Sequence, residues 1–137
     1  MKSSFASTWK KSKQPRKQRK YQYNAPAHIR GKFLGATLSK ELREKYSTRS
    51  IRIRTGDKVR IIRGAHKGKE GKIESVDVKK TRIYISKVEV NKKDGSKAQV
   101  PIHPSNVMII ELNLEDKKRK QKLESKKTKE KTQKKEN

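Results

Sequence analysis

TGDKVRIIRGAHKGKEGKIESVDVKKTRIYIS, residues 55–86, is the stretch from which the fold is read. Gly56-Asp57 signals a turn, and Lys58-Val59-Arg60-Ile61-Ile62 reads as a strand. Residues 63–71 form a glycine-punctuated loop. A second strand over residues 72–78, a turn at Lys79-Lys80 and a third strand over residues 82–85 follow. Glycines at 64, 68 and 71 permit positive φ and close backbone approach, and alone they imply only a hairpin with a flexible loop. The loop is not of the nucleotide-cradling type, because no Gly-Lys-Ser or Gly-Lys-Thr closes it and no helix is signalled after it. It is basic, with Arg63, His66, Lys67 and Lys69 within seven residues. Cations among small residues let charged heads and main-chain N–H groups approach a sugar-phosphate backbone together.

Further strands are signalled downstream. Residues 87–91 and 98–102 flank Asp94-Gly95, a strong hairpin turn, and residues 107–112 form the most apolar strand after the His103-Pro104 punctuation. Five or six short strands in about 60 residues suit a small barrel better than an open sheet. Upstream, residues 50–54 alternate strictly, so Ile51 and Ile53 can face a core while Arg52 and Arg54 face outward. Two short helices are expected between Ala25 and Tyr46. In the second, Ser39 is a natural N-cap, Glu41 lies in the first turn, and Leu38, Leu42 and Tyr46 share one face. Gly31 and Gly35 are expected to loosen the stretch between the helices.

Charge divides the chain. Of its 137 residues, 40 are Lys or Arg and 14 are Asp or Glu, a formal charge of +26, and only 28% are apolar. That suffices for one domain but not for a packed core throughout, and so one-sided a charge calls for a polyanion as counterion. Residues 55–114 carry thirteen basic and seven acidic side chains, against sixteen and two in residues 1–54 and eleven and five in residues 115–137. The expected organisation is a basic extended arm (1–24), short helices with a lead-in strand (25–54), the barrel (55–113) and a basic tail (114–137). Glu115 and Asp116 favour a helical start to that tail, and beyond about Lys126 it is too polar to fold alone. In the arm, Lys10, Lys11, Lys13, Arg16, Lys17, Arg19 and Lys20 surround Pro15 and precede Tyr21 and Tyr23. Such a run is either a solvated address segment or an arm that orders on RNA, with Trp9, Tyr21 or Tyr23 stacking on unpaired bases. The total charge favours the second reading.

With no cysteine, disulfides and thiolate chemistry are excluded. No apolar run approaches the roughly 18 residues of a membrane span, and the N-terminus lacks the apolar segment of a secretory signal, so an intracellular protein off the membrane is expected. His28, His66 and His103 lie in separate segments with no helical His-x-x-x-His pair, so neither a metal site nor a Ser-His-Asp arrangement is indicated. His103 before Pro104 reads as a strand-end hydrogen-bonding residue rather than a general base. No catalytic constellation is present.

The run Gly56, Val59, Ile61, Gly64, Gly68, Gly71, Ile73 resembles a KOW motif of small SH3-like barrels. More specific are NAPAHIR (24–30), LSKELREKY (38–46), IHPSNVMIIELNLED (102–116) and SKQPRKQRK (12–20). With the motif, these resemble the archaeal and eukaryotic branch of one universal large-subunit ribosomal protein family, number twenty-four in universal naming and twenty-six in eukaryotic naming. The resemblance runs from about Ser12 to Arg119. It implies direct binding to the 5′ domain of large-subunit rRNA, an early role in subunit assembly, and a cytoplasmic place in the ribosome. It also implies a position beside the polypeptide exit tunnel among neighbouring ribosomal proteins, with no cofactor, metal or small-molecule substrate. The Gly64-to-Gly71 spacing is one residue shorter than is usual in eukaryotic members, which favours the archaeal type. The hairpin tip at 91–97 is much shorter than in bacterial relatives, where a longer loop overhangs the tunnel mouth.

The expected rRNA-binding residues are Lys11, Lys13, Arg16, Lys17, Arg19 and Lys20 in the arm, and Arg30, Arg52 and Arg54 in the lead-in. Arg63, His66, Lys67, Lys69, Lys79, Lys80, Arg82 and His103 complete the set in the barrel. Two other classes share features with the chain. A KOW-type transcription elongation factor shares residues 55–85 but normally brings a second folded domain, and a basic chromatin protein shares the charge without needing a barrel.

Overall fold

In a computed structural model describing residues 5–9 and 11–133, with side chains as far as Ser125, the deciding stretch becomes three antiparallel strands, β3 (Lys58–Ile61), β4 (Glu70–Asp77) and β5 (Arg82–Ile85). Met1 to Ser4, Lys10 of the basic cluster and the last four residues of the expected tail lie outside the described residues. Alternation puts Val59 and Ile61 of β3 and Ile83 and Ile85 of β5 inward, each at most 1% exposed. Strand β4 serves as the corner. It pairs with β3 through residues 70–72 and with β5 through residues 73–77, and its register shifts between Ile73 and Ser75, an irregularity that bends a strand.

The sheet curls because its far strand returns to its start. After β5 the chain makes the hairpin β6 (Glu89–Asn91) and β7 (Lys97–Gln99) around the Asp94-Gly95 turn. Ile102 then exchanges two 2.9 Å main-chain hydrogen bonds with Ile83. A short 3-10 turn, Pro104–Asn106, leads into β8 (Val107–Glu111), which pairs antiparallel with β3. The ring β8-β3-β4-β5-Ile102 encloses a core rich in β-branched residues, with Val59, Ile83, Val107 and Ile109 fully buried. This is the small barrel-like domain that the strand spacing predicts.

The lead-in segment is more closely built into the sheet than the sequence suggests. Helices α2 (Ala27–Phe33) and α3 (Lys40–Tyr46) form as expected, the latter with Ser39 Oγ accepting from the Leu42 N–H. Between them, where the glycines are expected to loosen the chain, lies a strand, β1 (Gly35–Leu38). It pairs antiparallel with β2 (Ser50–Arg52) and parallel with β8. Leu38 therefore belongs to the sheet, fully buried at the end of β1, and not to the α3 face. Gly31 lies within α2, where the Arg52 guanidinium packs so closely that a Cβ would sit 2.6 Å from its Nη1.

The arm is not extended throughout. Residues Pro15–Asn24 form helix α1, with proline at the first position and a body of Arg, Lys and Gln, which are good helix formers. It buries no residue and is steadied by Tyr21, whose ring edges onto Phe33 at 6.2 Å between centroids. At the other end, helix α4 (Lys117–Gln133) starts after Asp116, whose Oδ1 accepts from the Lys118 N–H at 2.8 Å, and stays helical past Lys126. Straight-chain Lys, Glu and Gln sustain a helix through backbone propensity even where no apolar face exists.

One buried ion pair ties α4 to the barrel. Asp57 is completely buried, and both its oxygens are 2.7 Å from Arg119 nitrogens. The same carboxylate accepts from the main-chain N–H groups of Arg54 and Asn113, each at 2.9 Å. Arg119 also donates to the carbonyls of Asn113 and Arg52. Removing one member of a buried pair leaves the other charge uncompensated, a loss of about 3–5 kcal/mol. Arg119→Ala is therefore expected to lower unfolding free energy by that amount in urea titration. Arg119→Lys is expected to recover only part of it, because an ammonium cannot bridge both carboxylate oxygens as a guanidinium does. Unchanged stability of Arg119→Ala would show that the pair carries no structural load.

Candidate nucleic-acid interface

The glycine-punctuated loop is held by main-chain hydrogen bonds. Gly68 N–H donates to the Ile61 carbonyl at 2.8 Å, Ile61 N–H to Lys69 at 2.9 Å, and Lys67 N–H to Gly64 at 3.1 Å. Gly64 and Gly68 take φ of 101° and 89°, the left-handed region that side chains rarely adopt. Gly71 has a different role, since a Cβ there would lie 2.6 Å from the Ser86 carbonyl oxygen, so its lack of a side chain lets β4 approach β5. The result is a fixed loop that holds Arg63, Lys67 and Lys69 in solvent and His66 half-buried.

At the other end of β4 from this loop lies the β4–β5 turn, with Lys79 and Lys80 exposed and Thr81 at φ 55°. The Lys80 N–H donates to Asp77 Oδ1 at 2.9 Å, which shapes the turn. His103 caps the 3-10 turn: its Nδ1 accepts from the Ser105 N–H at 3.3 Å and lies 2.8 Å from Ser105 Oγ. An accepting Nδ1 leaves the neutral ring's proton on Nε2. Burial first, and then the Arg82 charge, push the His103 pKa below the ordinary histidine value. At neutral pH His103 is a hydrogen-bond donor and not a cation.

Two grooves lie here. One, of about 440 Å³, is lined by Arg63, His66, Arg82, Pro101, His103 and Asn106 among others. The second, of about 430 Å³, is lined by Gln22, Phe33, Lys80, Thr81, Arg82 and His103. Arg82 and His103 line both, so the two grooves are neighbours across these side chains, and no carboxylate lines either. The structure thus gathers Arg63, His66, Lys80, Arg82 and His103, with Lys67, Lys69 and Lys79 on the same loop and turn.

Other residues of the expected set stand elsewhere. Lys11, Lys13, Arg16, Lys17, Arg19 and Lys20 belong to α1 and its approach, away from the barrel core. Arg54 is paired with Asp116, and Arg52 packs on Gly31. Arg30 is turned inward. Its guanidinium donates to the carbonyls of Tyr23, Ala25 (2.8 Å) and Lys79 (2.5 Å), tying α1 to the β4–β5 turn. Sequence reasoning missed Gln22, Phe33, Thr81, Pro101 and Asn106, which come from separate segments and carry no local signal of a common surface. Among the described residues no cluster of three His, Asp or Glu side chains could hold a metal ion, and no helix is long and apolar enough to cross a membrane.

Because the folded-state pKa of His103 lies below 6.5, the unfolded chain takes up that proton more readily. The stability tied to neutral His103 is therefore present above about pH 6.5 and lost as the pH falls through the folded-state pKa. Melting temperature is expected to drop more between about pH 7 and pH 5 for the native chain than for His103→Asn, which keeps a capping side chain but cannot protonate. Parallel profiles would contradict this assignment.

Residues 12–126 match the profile of the ribosomal protein family described as L26 in eukaryotes and as the corresponding protein twenty-four in archaea. The chain is 55% identical over 112 residues to the large ribosomal subunit protein uL24 of Methanospirillum hungatei, covering 82% of this chain and 93% of that one. It is 52% identical to the protein of the same name from Methanoculleus marisnigri, with the same coverage, and 52% identical to that of Korarchaeum cryptofilum over 83% of this chain and 87% of the relative. The chain therefore belongs to this ribosomal protein family, numbered twenty-six in eukaryotes and twenty-four in archaea, on its archaeal side, as a structural, non-enzymatic part of the cytoplasmic ribosome.

Proposed function

We propose that the chain is a structural constituent of the large ribosomal subunit that binds the 5′ domain of its rRNA directly through the concave basic surface. The observation that carries this reading is the pair of neighbouring grooves that share Arg82 and His103, lined also by Arg63, His66 and Lys80 and free of carboxylates. A rigid groove of this kind suits recognition of a folded RNA by shape. Arg63, Lys67, Lys69, Lys79 and Lys80 meet phosphates, and the His103 Nε2–H donates to a phosphate or 2′-OH. Arg30 acts indirectly, holding α1 against the turn that carries Lys79 and Lys80. Cations of α1 then extend the contact along a second RNA segment, while Arg52 and the half-exposed Arg54 add charge at the margin.

Clamping two RNA segments against one rigid body is the physical basis for an early role in subunit assembly. Neighbouring ribosomal proteins beside the polypeptide exit tunnel complete the partner set, with the β6–β7 hairpin, where Val90 is 51% exposed, offered to them. The readings as a transcription elongation factor or chromatin protein are disfavoured, because the family match includes the arm and helices as well as the KOW stretch.

Binding to an rRNA fragment of the 5′ domain tests the proposal. Log affinity should fall linearly with log salt, by about 0.7 for each phosphate neutralised. The triple variant Arg63→Ala, Lys67→Ala, Lys80→Ala is expected to flatten that slope by about 2, since three phosphate contacts at about 0.7 each are lost, with an unchanged circular dichroism spectrum. An unchanged slope, or better competition by duplex DNA than by rRNA at matched salt, overturns the reading.

A further inference from the structure

Helix α1 buries nothing, yet it gathers aromatic rings. The Tyr21 ring lies 4.9 Å from Phe5 and 6.4 Å from Trp9, centroid to centroid, and edges onto Phe33. A main-chain hydrogen bond from the Trp9 N–H to the Ala6 carbonyl makes a turn in the segment before α1. Between them is a cavity of about 280 Å³ whose lining includes Phe5, Trp9, Lys17, Lys20, Tyr21 and Asn24. Trp9 remains 40% exposed. Lys17, Lys20, Tyr21 and Asn24 recur at helical spacings of three and four, so they share one face of α1.

We propose that this cavity is a pocket for one unstacked RNA base. The charge around it decides the occupant. No acidic residue occurs before Glu41, and among the described residues the only charged side chains lining the cavity are Lys17 and Lys20. An apolar peptide side chain would cover the rings and leave Lys17 and Lys20 without counter-charge. A nucleotide satisfies both: its base lies flat against Trp9 or Tyr21, the Asn24 amide meets the base edge, and the flanking phosphates lie on the two lysines. The Tyr21–Phe33 contact also joins this pocket to the barrel groove, which Phe33 lines. An RNA strand whose backbone follows the groove can therefore turn one base outward into the pocket. This rests on the RNA-binding reading above and deepens it, adding a base contact to a surface otherwise built for phosphates.

Trp9 is the chain's one tryptophan, so emission excited selectively in the indole band, beyond tyrosine absorption, reports on the pocket. The full-length protein is titrated with hexa-adenylate and, separately, with inorganic polyphosphate of the same charge. Hexa-adenylate is expected to quench Trp9 and polyphosphate to leave it unchanged. Trp9→Ala and Tyr21→Ala, measured by filter binding, are each expected to weaken hexa-adenylate about tenfold and polyphosphate less than about twofold, with Trp9→Phe restoring most of the loss. None of these residues is in the barrel core, and an unchanged circular dichroism spectrum confirms that the variants fold. Equal quenching by polyphosphate, or unaltered hexa-adenylate binding by Trp9→Ala, overturns the pocket. If the rRNA salt slope holds while hexa-adenylate fails to quench, the pocket falls and the groove stands.

Discussion

A fully buried carboxylate in a chain of net charge +26 is the constraint around which this structure is arranged. Asp57 accepts from four donors, the N–H groups of Arg54 and Asn113 and both terminal nitrogens of Arg119. Those donors come from the end of the lead-in segment, the segment after β8 and the first turns of α4. One side chain therefore fixes three parts of the chain against one another. Beside this junction α4 also meets α3, with Leu123 of α4 1% exposed and Tyr46 of α3 buried. A buried pair need not be more stable than a well-packed apolar substitute, but it accepts only the geometry that satisfies every donor.

The same economy of acidic residues shapes the basic face. Each of the seven carboxylates in residues 55–114 has a partner, and none of the seven lines either groove. Asp57 holds Arg119, Glu70 pairs with Arg60, Glu111 with Lys58, and Glu89 with Lys97. Glu74 accepts from the Gln99 amide, and Asp77 and Asp94 shape turns through the N–H groups of Lys80 and Ser96. Such exposed pairs add little stability individually. Their effect is on where positive charge stays unneutralised: Arg63, which lines a groove, and Lys67, Lys69 and Lys79, on the same loop and turn, have no carboxylate partner among the described residues.

The barrel was legible where local rules govern. Strict alternation located β2, short β-branched runs between turn signals located β3 and β5, an apolar run located β8, the Asp94-Gly95 pair located the hairpin, and Ser39 and Glu41 located the start of α3. Strand β1 was not legible, because Gly-Ala-Thr-Leu is short and takes its sheet position from parallel pairing of Thr37 with Met108. Helix α1 was read as an arm because charge masks helix propensity when no apolar face is present. Asp57 read only as a turn residue, since its guanidinium partner is 62 residues away. At the site, the basic loop and turn were evident, but Phe33, Pro101 and Asn106 meet only through the folded topology. Arg30 was expected among the RNA contacts from its charge, and the three carbonyls it also holds, which join α1 to the β4–β5 turn, carry no local signal in the sequence.

The central claim is that the chain meets rRNA through one assembled surface and not through diffuse positive charge. Lysine reactivity read by mass spectrometry, for the free protein and for its complex with an rRNA fragment of the 5′ domain, tests this most directly. The account predicts that Lys67, Lys69, Lys79 and Lys80 become protected on binding, while Lys58 and Lys97, engaged by Glu111 and Glu89, keep their free-state reactivity. Protection spread evenly over all these lysines, or confined to Lys58 and Lys97, would contradict it.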